Sequence, residues 1–319
     1  MTGERTIRTN GIDMHLLEAG IPGNPLVVLC HGFPELGYSW RHQLPALAEA
    51  GYHVVAPDQR GYGGSSRPEA IEDYDIVHLT GDLLGLLDAL GAADAVFVGH
   101  DWGSPVVSQL TLQAPERVKG VVWMSVPFVS RPPAPPTQIL KQLFVDIWFY
   151  MLYFQEPGVA DADLAADPAT TMRRFLCAIS GDATPEQLMS LAGPRDGRGM
   201  VARLPEVDAL PDWLSQDELD HYIAVFARTG FTGGLNWYRN LDRNWSLTAD
   251  YASSRVTVPG LFIGGQRDPV LMMTPPEGTK ELVDDLRGIV LVPDAGHWVQ
   301  QETPAQVNRA LLEFLAGLD

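Results

Sequence analysis

Apolar and polar positions fall into alternating blocks along this 319-residue chain. Continuous apolar runs at residues 26–30 and 96–98 have the length and β-branched content of strands buried on both faces. Residues 52–56, 121–124, 258–263 and 288–292 also read as strands. Between them lie helix-like stretches at 38–50, 104–112 and near 277–286, with a closing one from Thr303. Residues 76–90 carry the clearest helical stripe, with apolar side chains at 76, 79, 83, 86, 87 and 90. The residues before Asn10 and residues 14–17 predict two short antiparallel strands at a sheet edge. Such alternation predicts an α/β fold, a mostly parallel sheet flanked by helices on both faces.

The alternation stops after Phe128. Ser130-Arg-Pro-Pro-Ala-Pro-Pro136 is the kind of punctuation that suits a junction. From there to Trp245, residues 137–154, 168–180, 185–191, 215–229 and 237–244 read as helices, with no convincing strand. Ser215 with Glu218 forms a capping box, and Thr303 with Gln306 a second, with Pro304 at the first helical position. The chain therefore divides into a core, residues 1–128, an inserted helical lid, residues 129–245, and the rest of the core, residues 246–319.

Composition narrows the possible partners. A hydrophobic content of 45% is ample for a core, and 19% charged residues is ordinary for a globular protein. The formal net charge of −18 disfavours nucleic-acid and anionic-membrane partners, which need a basic footprint. Cys30 and Cys177 have no metal-ligand or disulfide-framework spacing and read as reduced core thiols of a cytosolic protein. The first residues lack the basic and apolar regions of a signal peptide. The longest aromatic-apolar run, 147–154, is too short to cross a bilayer.

The candidate chemistry centres on Gly99-His100-Asp101-Trp102-Gly103, between a predicted strand and a predicted helix. This is the G-x-Nuc-x-G elbow, a strained turn that exposes its central side chain. Here that residue is aspartate. Serine attacking a saturated carbon would leave an ether, which water does not cleave under mild conditions. A carboxylate leaves an alkyl ester, which water can cleave. Asp101 therefore points to an sp3 electrophile, an epoxide or an alkyl halide, processed in two covalent steps. The competing reading is an aspartate that caps the following helix.

In this architecture the chain order is nucleophile, acid, histidine. His297, in the loop between the last strand and the closing helix, suits the base that activates water for the second step. Asp268, after the strand at 258–263, suits its orienting acid, because the competing strand end at 121–124 offers Ser-Val-Pro-Phe. Asp294 reads as shaping the turn. The other histidines (15, 31, 42, 53, 78, 100 and 221) read as structural, and none has metal spacing. His31-Gly32-Phe33-Pro34 stands where one oxyanion N–H is donated, and the backbone N–H of Trp102 would be the other. The tetrapeptide also reads as a tight turn, a place for a cis Pro34. Gly61-x-Gly63-Gly64 lacks the following lysine and helix of a phosphate loop.

With these residues assembled, the chain resembles the α/β-hydrolase-fold epoxide hydrolases over nearly its full length. The carrying motifs are His31-Gly-Phe-Pro-Glu35, Gly99-His-Asp-Trp-Gly103, Tyr150-x-x-Tyr-Phe-Gln-Glu-Pro-Gly158, Leu235-Asn-Trp-Tyr-Arg-Asn240 and Gly296-His-Trp298. The two lid motifs look like those of the bacterial relatives of the soluble epoxide hydrolases. The resemblance implies Asp101 as nucleophile, His297 as base, Asp268 as its partner, and Tyr150 and Tyr238 as lid tyrosines that hydrogen-bond the epoxide oxygen. Met151 stands where family members often carry glutamine. From composition alone, both tyrosines read as packing aromatics. At helical spacing Ile147, Tyr150, Met151 and Phe154 share one face, with Tyr153 toward its edge.

The expected reaction is hydrolysis of a small apolar epoxide to a vicinal diol, without metal or organic cofactor, in a cytoplasmic monomer or homodimer. Phe33, Trp102, Phe154 and Leu271 are candidates for an apolar substrate wall. A haloalkane dehalogenase would use the same nucleophile but leave the phenols little to do. A non-catalytic binding protein on this scaffold is the third reading, since fold does not fix function.

Overall fold

The computed structural model describes residues 3–184 and 189–318. Strands β1 (Gly3–Thr9), β2 (Ile12–Ala19) and β3 (Leu26–Cys30) come first, then helix α1 (Gln43–Glu49) and β4 (His53–Pro57). Next are α2 (Ile76–Leu90), β5 (Ala95–His100), α3 (Gly103–Gln113) and β6 (Val118–Met124). The stripe at 76–90 is one helix over its whole length. Asp75 caps it, accepting from the N–H groups of Val77 and His78 at 3.1 and 3.0 Å. The segment predicted as a helix from 38 starts instead as a 3-10 turn, Gly37–Trp40, and only then continues as α1.

The insert that follows β6 is mainly helical but departs from expectation at several points. Residues 137–154 do not make one helix: α4 (Pro136–Leu143) is followed by β7 (Ile147–Phe149) and the single turn α5 (Tyr150–Tyr153). After α6 (Val159–Ala165) and α7 (Pro168–Ala178), β8 (Ala192–Pro194) pairs antiparallel with β7. Ile147 thus leaves the face it was expected to share with Tyr150, and is 43% exposed. Residues 185–188 of the predicted helix 185–191 lie outside the described residues, and Met189–Leu191 form a 3-10 turn. The insert closes with α8 (Gln216–Thr229), which carries the expected Ser215–Glu218 capping box, then α9 (Thr232–Arg239) and α10 (Leu241–Leu247), which divide at Asn240.

The core resumes with β9 (Gly260–Gly265), the short α11 (Val270–Met273), β10 (Leu286–Val292), α12 (Val299–Glu302) and α13 (Pro304–Ala316). The helix expected near 277–286 is only a 3-10 stretch, Pro276–Glu281. Thr303 makes no capping box. Its hydroxyl donates to the Val299 carbonyl of α12 at 2.9 Å, leaving Pro304 at the first turn as the start signal.

The eight-stranded sheet runs β1-β2-β4-β3-β5-β6-β9-β10, parallel except for the β1–β2 and β2–β4 pairs. Every residue of β3 is buried because both faces are covered. Val27 and Leu29 pack with Leu44, Leu47, Leu311 and Phe314 of α1 and α13, while Leu26, Val28 and Cys30 join the cluster shared with α2, α3 and the insert. Each such Val or Leu contributes roughly 1.5–3 kcal/mol by leaving water. The sheet order reverses at β3: the chain goes from β3 to β4 on one side and returns as β5 on the other. The loops after β3 and β5 therefore open side by side at the carboxyl ends, where open α/β sheets bind ligands.

Candidate active site

Asp101 sits on the turn from β5 into α3 with φ of +49°, a left-handed conformation that costs a non-glycine residue energy. Packing around the turn enforces it. A Cβ on Gly103 would stand 2.2 Å from the Cys30 carbonyl oxygen, and one on Gly99 2.4 Å from that of Gly103. A Cβ on Gly32 would stand 2.3 Å from the Cβ of Asp101. The three glycines let the loop after β3 close on the elbow, and the Phe33 N–H donates to Asp101 Oδ1 at 2.8 Å. The Phe33–Pro34 peptide is cis. Trp102 precedes α3, so its N–H is among the helix-start donors without an intrahelical partner, and the helix dipole favours negative charge there.

The other oxygen, Oδ2, faces His297 Nε2 at 3.6 Å. On the far side of the ring, His297 Nδ1 donates to Asp268 at 3.0 and 3.2 Å. Burial would lower the His297 pKa, but the charge of Asp268 and then the direct approach of the Asp101 carboxylate hold it well above the usual histidine value. Three residues from three separate strand ends thus converge in the expected order.

Over this group hang the two tyrosines, from α5 and α9. Their ring centroids are 6.1 Å apart, and both side chains are buried. Burial, then the charge of Asp101, push both phenols well above their ordinary pKa. Phe33, Trp102 and Phe154 pack their rings on Tyr238 at centroid distances of 5.5, 5.1 and 5.0 Å. Leu271, in α11 just after Asp268, is half-buried, its Cδ1 3.2 Å from where a Gly264 Cβ would stand.

Residues 25–304 match the family described as the alpha/beta hydrolase fold. The chain is 57% identical to epoxide hydrolase A of Mycobacterium tuberculosis, over 99% of this chain and 98% of that one. The chain belongs to the epoxide hydrolases. The crystal structure of epoxide hydrolase A from Mycobacterium thermoresistibile superposes with a TM-score of 0.96 at 57% identity, covering 100% of this chain and 99% of that one. Potato (Solanum tuberosum) epoxide hydrolase I is more distant, at 34% identity and a TM-score of 0.88 over 99% of this chain and 100% of its own. None of these relatives favours the dehalogenase alternative. Among the described residues of this epoxide hydrolase no helix is long and apolar enough to cross a membrane.

The sequence reading missed the layer behind the site. His100, read as merely structural, presents Nε2 to the His297 carbonyl oxygen at 2.7 Å and Nδ1 to Glu35 at 2.5 Å. Ser125 donates to the same carbonyl at 2.8 Å. Burial works against the Glu35 carboxylate, yet His100 and then His31 hold its pKa down at about 2. Gln300 and Gln301 donate to its other oxygen. In the insert, the amide of Gln155 donates to the carbonyls of Met151 and Tyr238 at 2.8 and 3.0 Å, tying the segments of the two tyrosines together. Gln155 and Glu35 lay inside the quoted motifs, but only their partners reveal what they hold.

Proposed function

We propose that this epoxide hydrolase opens epoxides through a covalent ester on Asp101. The arrangement of one carboxylate carries the proposal: Oδ1 on the Phe33 N–H, Oδ2 toward His297, and two buried phenols above. Oδ2 attacks a ring carbon. The ring C–O bond breaks and its electrons pass to the epoxide oxygen, which takes a proton from Tyr150 or Tyr238. An ordinary phenol has a pKa near ~10, and the raised values here keep both protons in place until the more basic alkoxide appears. His297, oriented by Asp268, then takes a proton from water as the oxygen attacks Asp101 Cγ. The tetrahedral oxyanion forms on Oδ1, against the N–H groups of Phe33 and Trp102, each worth roughly 10²–10³ in rate. Collapse breaks the Cγ–Oδ2 bond: the leaving oxygen takes the proton held by His297 and departs with the diol, and the new carboxylic acid returns its proton to the tyrosinate, which restores carboxylate, imidazole and phenol.

Residues 129–245 act as the cap that carries the tyrosines, over a core of residues 1–128 and 246–319. Phe33, Trp102, Phe154 and Leu271 form the apolar wall, which suits a small apolar epoxide with water as co-substrate. Both cysteines are free and buried, which suits the cytoplasm. One chain supplies every group of the site, as either a monomer or a homodimer would allow.

A single turnover in heavy-oxygen water tests the covalent route. The label is expected in the Asp101 carboxylate, with none in the first diol released. A first diol that takes its new oxygen from solvent rules the ester out.

A further inference from the structure

Glu302 ends α12, five residues after His297, and no step above uses it. Its carboxylate gathers three backbone N–H groups. Oε2 accepts from Gly296 at 2.9 Å and Gly181 at 2.8 Å, and Oε1 from Trp298 at 2.9 Å. Two of these donors flank His297, and the third lies in the insert just past α7. The N–H of His297 itself donates to the Ile179 carbonyl at 2.9 Å, and the Trp298 indole to that of Leu176 at 2.7 Å. Three consecutive N–H groups of the histidine loop are thus fixed, two by one carboxylate and one by the insert.

The two strands of this junction touch without side chains between them. A Cβ on Gly296 would stand 2.3 Å from Gly181 N, and one on Gly181 2.0 Å from the Asp294 carbonyl oxygen. Asp294 itself has φ of +63°, so the loop is held in a conformation it would not keep freely. Burial pushes the Glu302 pKa up to about 7 while the three N–H bonds pull it down, so the carboxylate form predominates above neutral pH.

We propose that Glu302 is a positioning residue for His297, its carboxylate locking the histidine loop to residues 176–181 of the insert. This role rests on His297 being the base of the second step, so ester hydrolysis depends on Glu302 and ester formation does not. An imidazole displaced by about an ångström loses on the order of 10²-fold in rate, while Asp101 and the tyrosines stay in place.

The test compares Glu302→Ala, Glu302→Gln and, as reference, His297→Gln in single turnovers with an aryl epoxide at pH 8. Ester formation and hydrolysis are followed separately, and the ester by intact mass. Glu302→Ala is expected to slow hydrolysis by about 10- to 100-fold, alter ester formation by less than about 3-fold, and accumulate the alkyl-enzyme. Glu302→Gln keeps one acceptor oxygen but sets an NH2 against a backbone N–H, and should fall between. Should the alanine variant not fold, the glutamine variant decides alone. Equal loss in both steps, or no loss in either, overturns the positioning role. Ester accumulation in His297→Gln alone sinks only the role of Glu302, whereas its absence from every variant sinks the covalent route.

Discussion

Two carboxylates compete for the charge of one imidazole. In the free enzyme Asp268 and Asp101 together hold the His297 pKa well above 6.5. In the proposed cycle, ester formation would remove the Asp101 charge, so the His297 pKa would fall and leave the ring a neutral base for the second step. The sign is checkable: Asp101→Asn, which mimics the loss of charge, should shift the His297 titration seen by NMR to lower pH. An unchanged midpoint would mean that Asp101 does not act on the ring. In the proposed scheme the two tyrosines are redundant, because both phenols face the same charge. Either single Tyr→Phe change leaves one donor. Tyr150→Phe with Tyr238→Phe leaves none, and ester formation should then fall by at least about 10³-fold, on the scale of losing developing-charge donors. A double variant that forms ester at the wild-type rate would assign the proton to another group.

Among the elements, the elbow has the least freedom, because backbone meets backbone there. Gly103→Ala would press its methyl into the Cys30 carbonyl, and neither α3 nor β3 can move without the sheet. Overpacking of this kind costs about 1–3 kcal/mol, so the thermal midpoint should drop by several degrees and Asp101 should lose its alignment. Gly278→Ala, which meets nothing within 4 Å, should leave the midpoint unchanged. The same distinction explains what could be read from the chain. β3, α2 and the elbow were legible because their burial is written in continuous or periodic apolar positions. β7 and β8 were not, since three residues show no period and the partner strand lies more than forty positions away. Thr303 misled because α12 intervenes and supplies a carbonyl to its hydroxyl. Asp101, Asp268 and His297 stand at strand ends in a recognisable order, whereas the meaning of His100 and Glu302 depends on contacts more than sixty and one hundred residues away.

At the scale of the molecule, the rings around Tyr238 are apolar while the chain as a whole is strongly acidic, with a formal net charge of −18. A field of that sign slows the approach of anions and leaves neutral molecules unaffected. On the proposed aromatic wall around Tyr238 an uncharged epoxide and one bearing a distant carboxylate would meet the same rings, so approach is where charge enters. Salt separates the two cases, because the screening length falls from about 30 Å at 0.01 M to about 8 Å at 0.15 M. For an uncharged aryl or alkyl epoxide, kcat/KM should stay flat across that range. For an epoxide bearing a carboxylate it should rise severalfold with salt, because repulsion at long range is what the salt removes. A fall with salt for the carboxylate substrate would reveal a local cationic entrance that overrides the net charge, and would make epoxy acids the better match for this site.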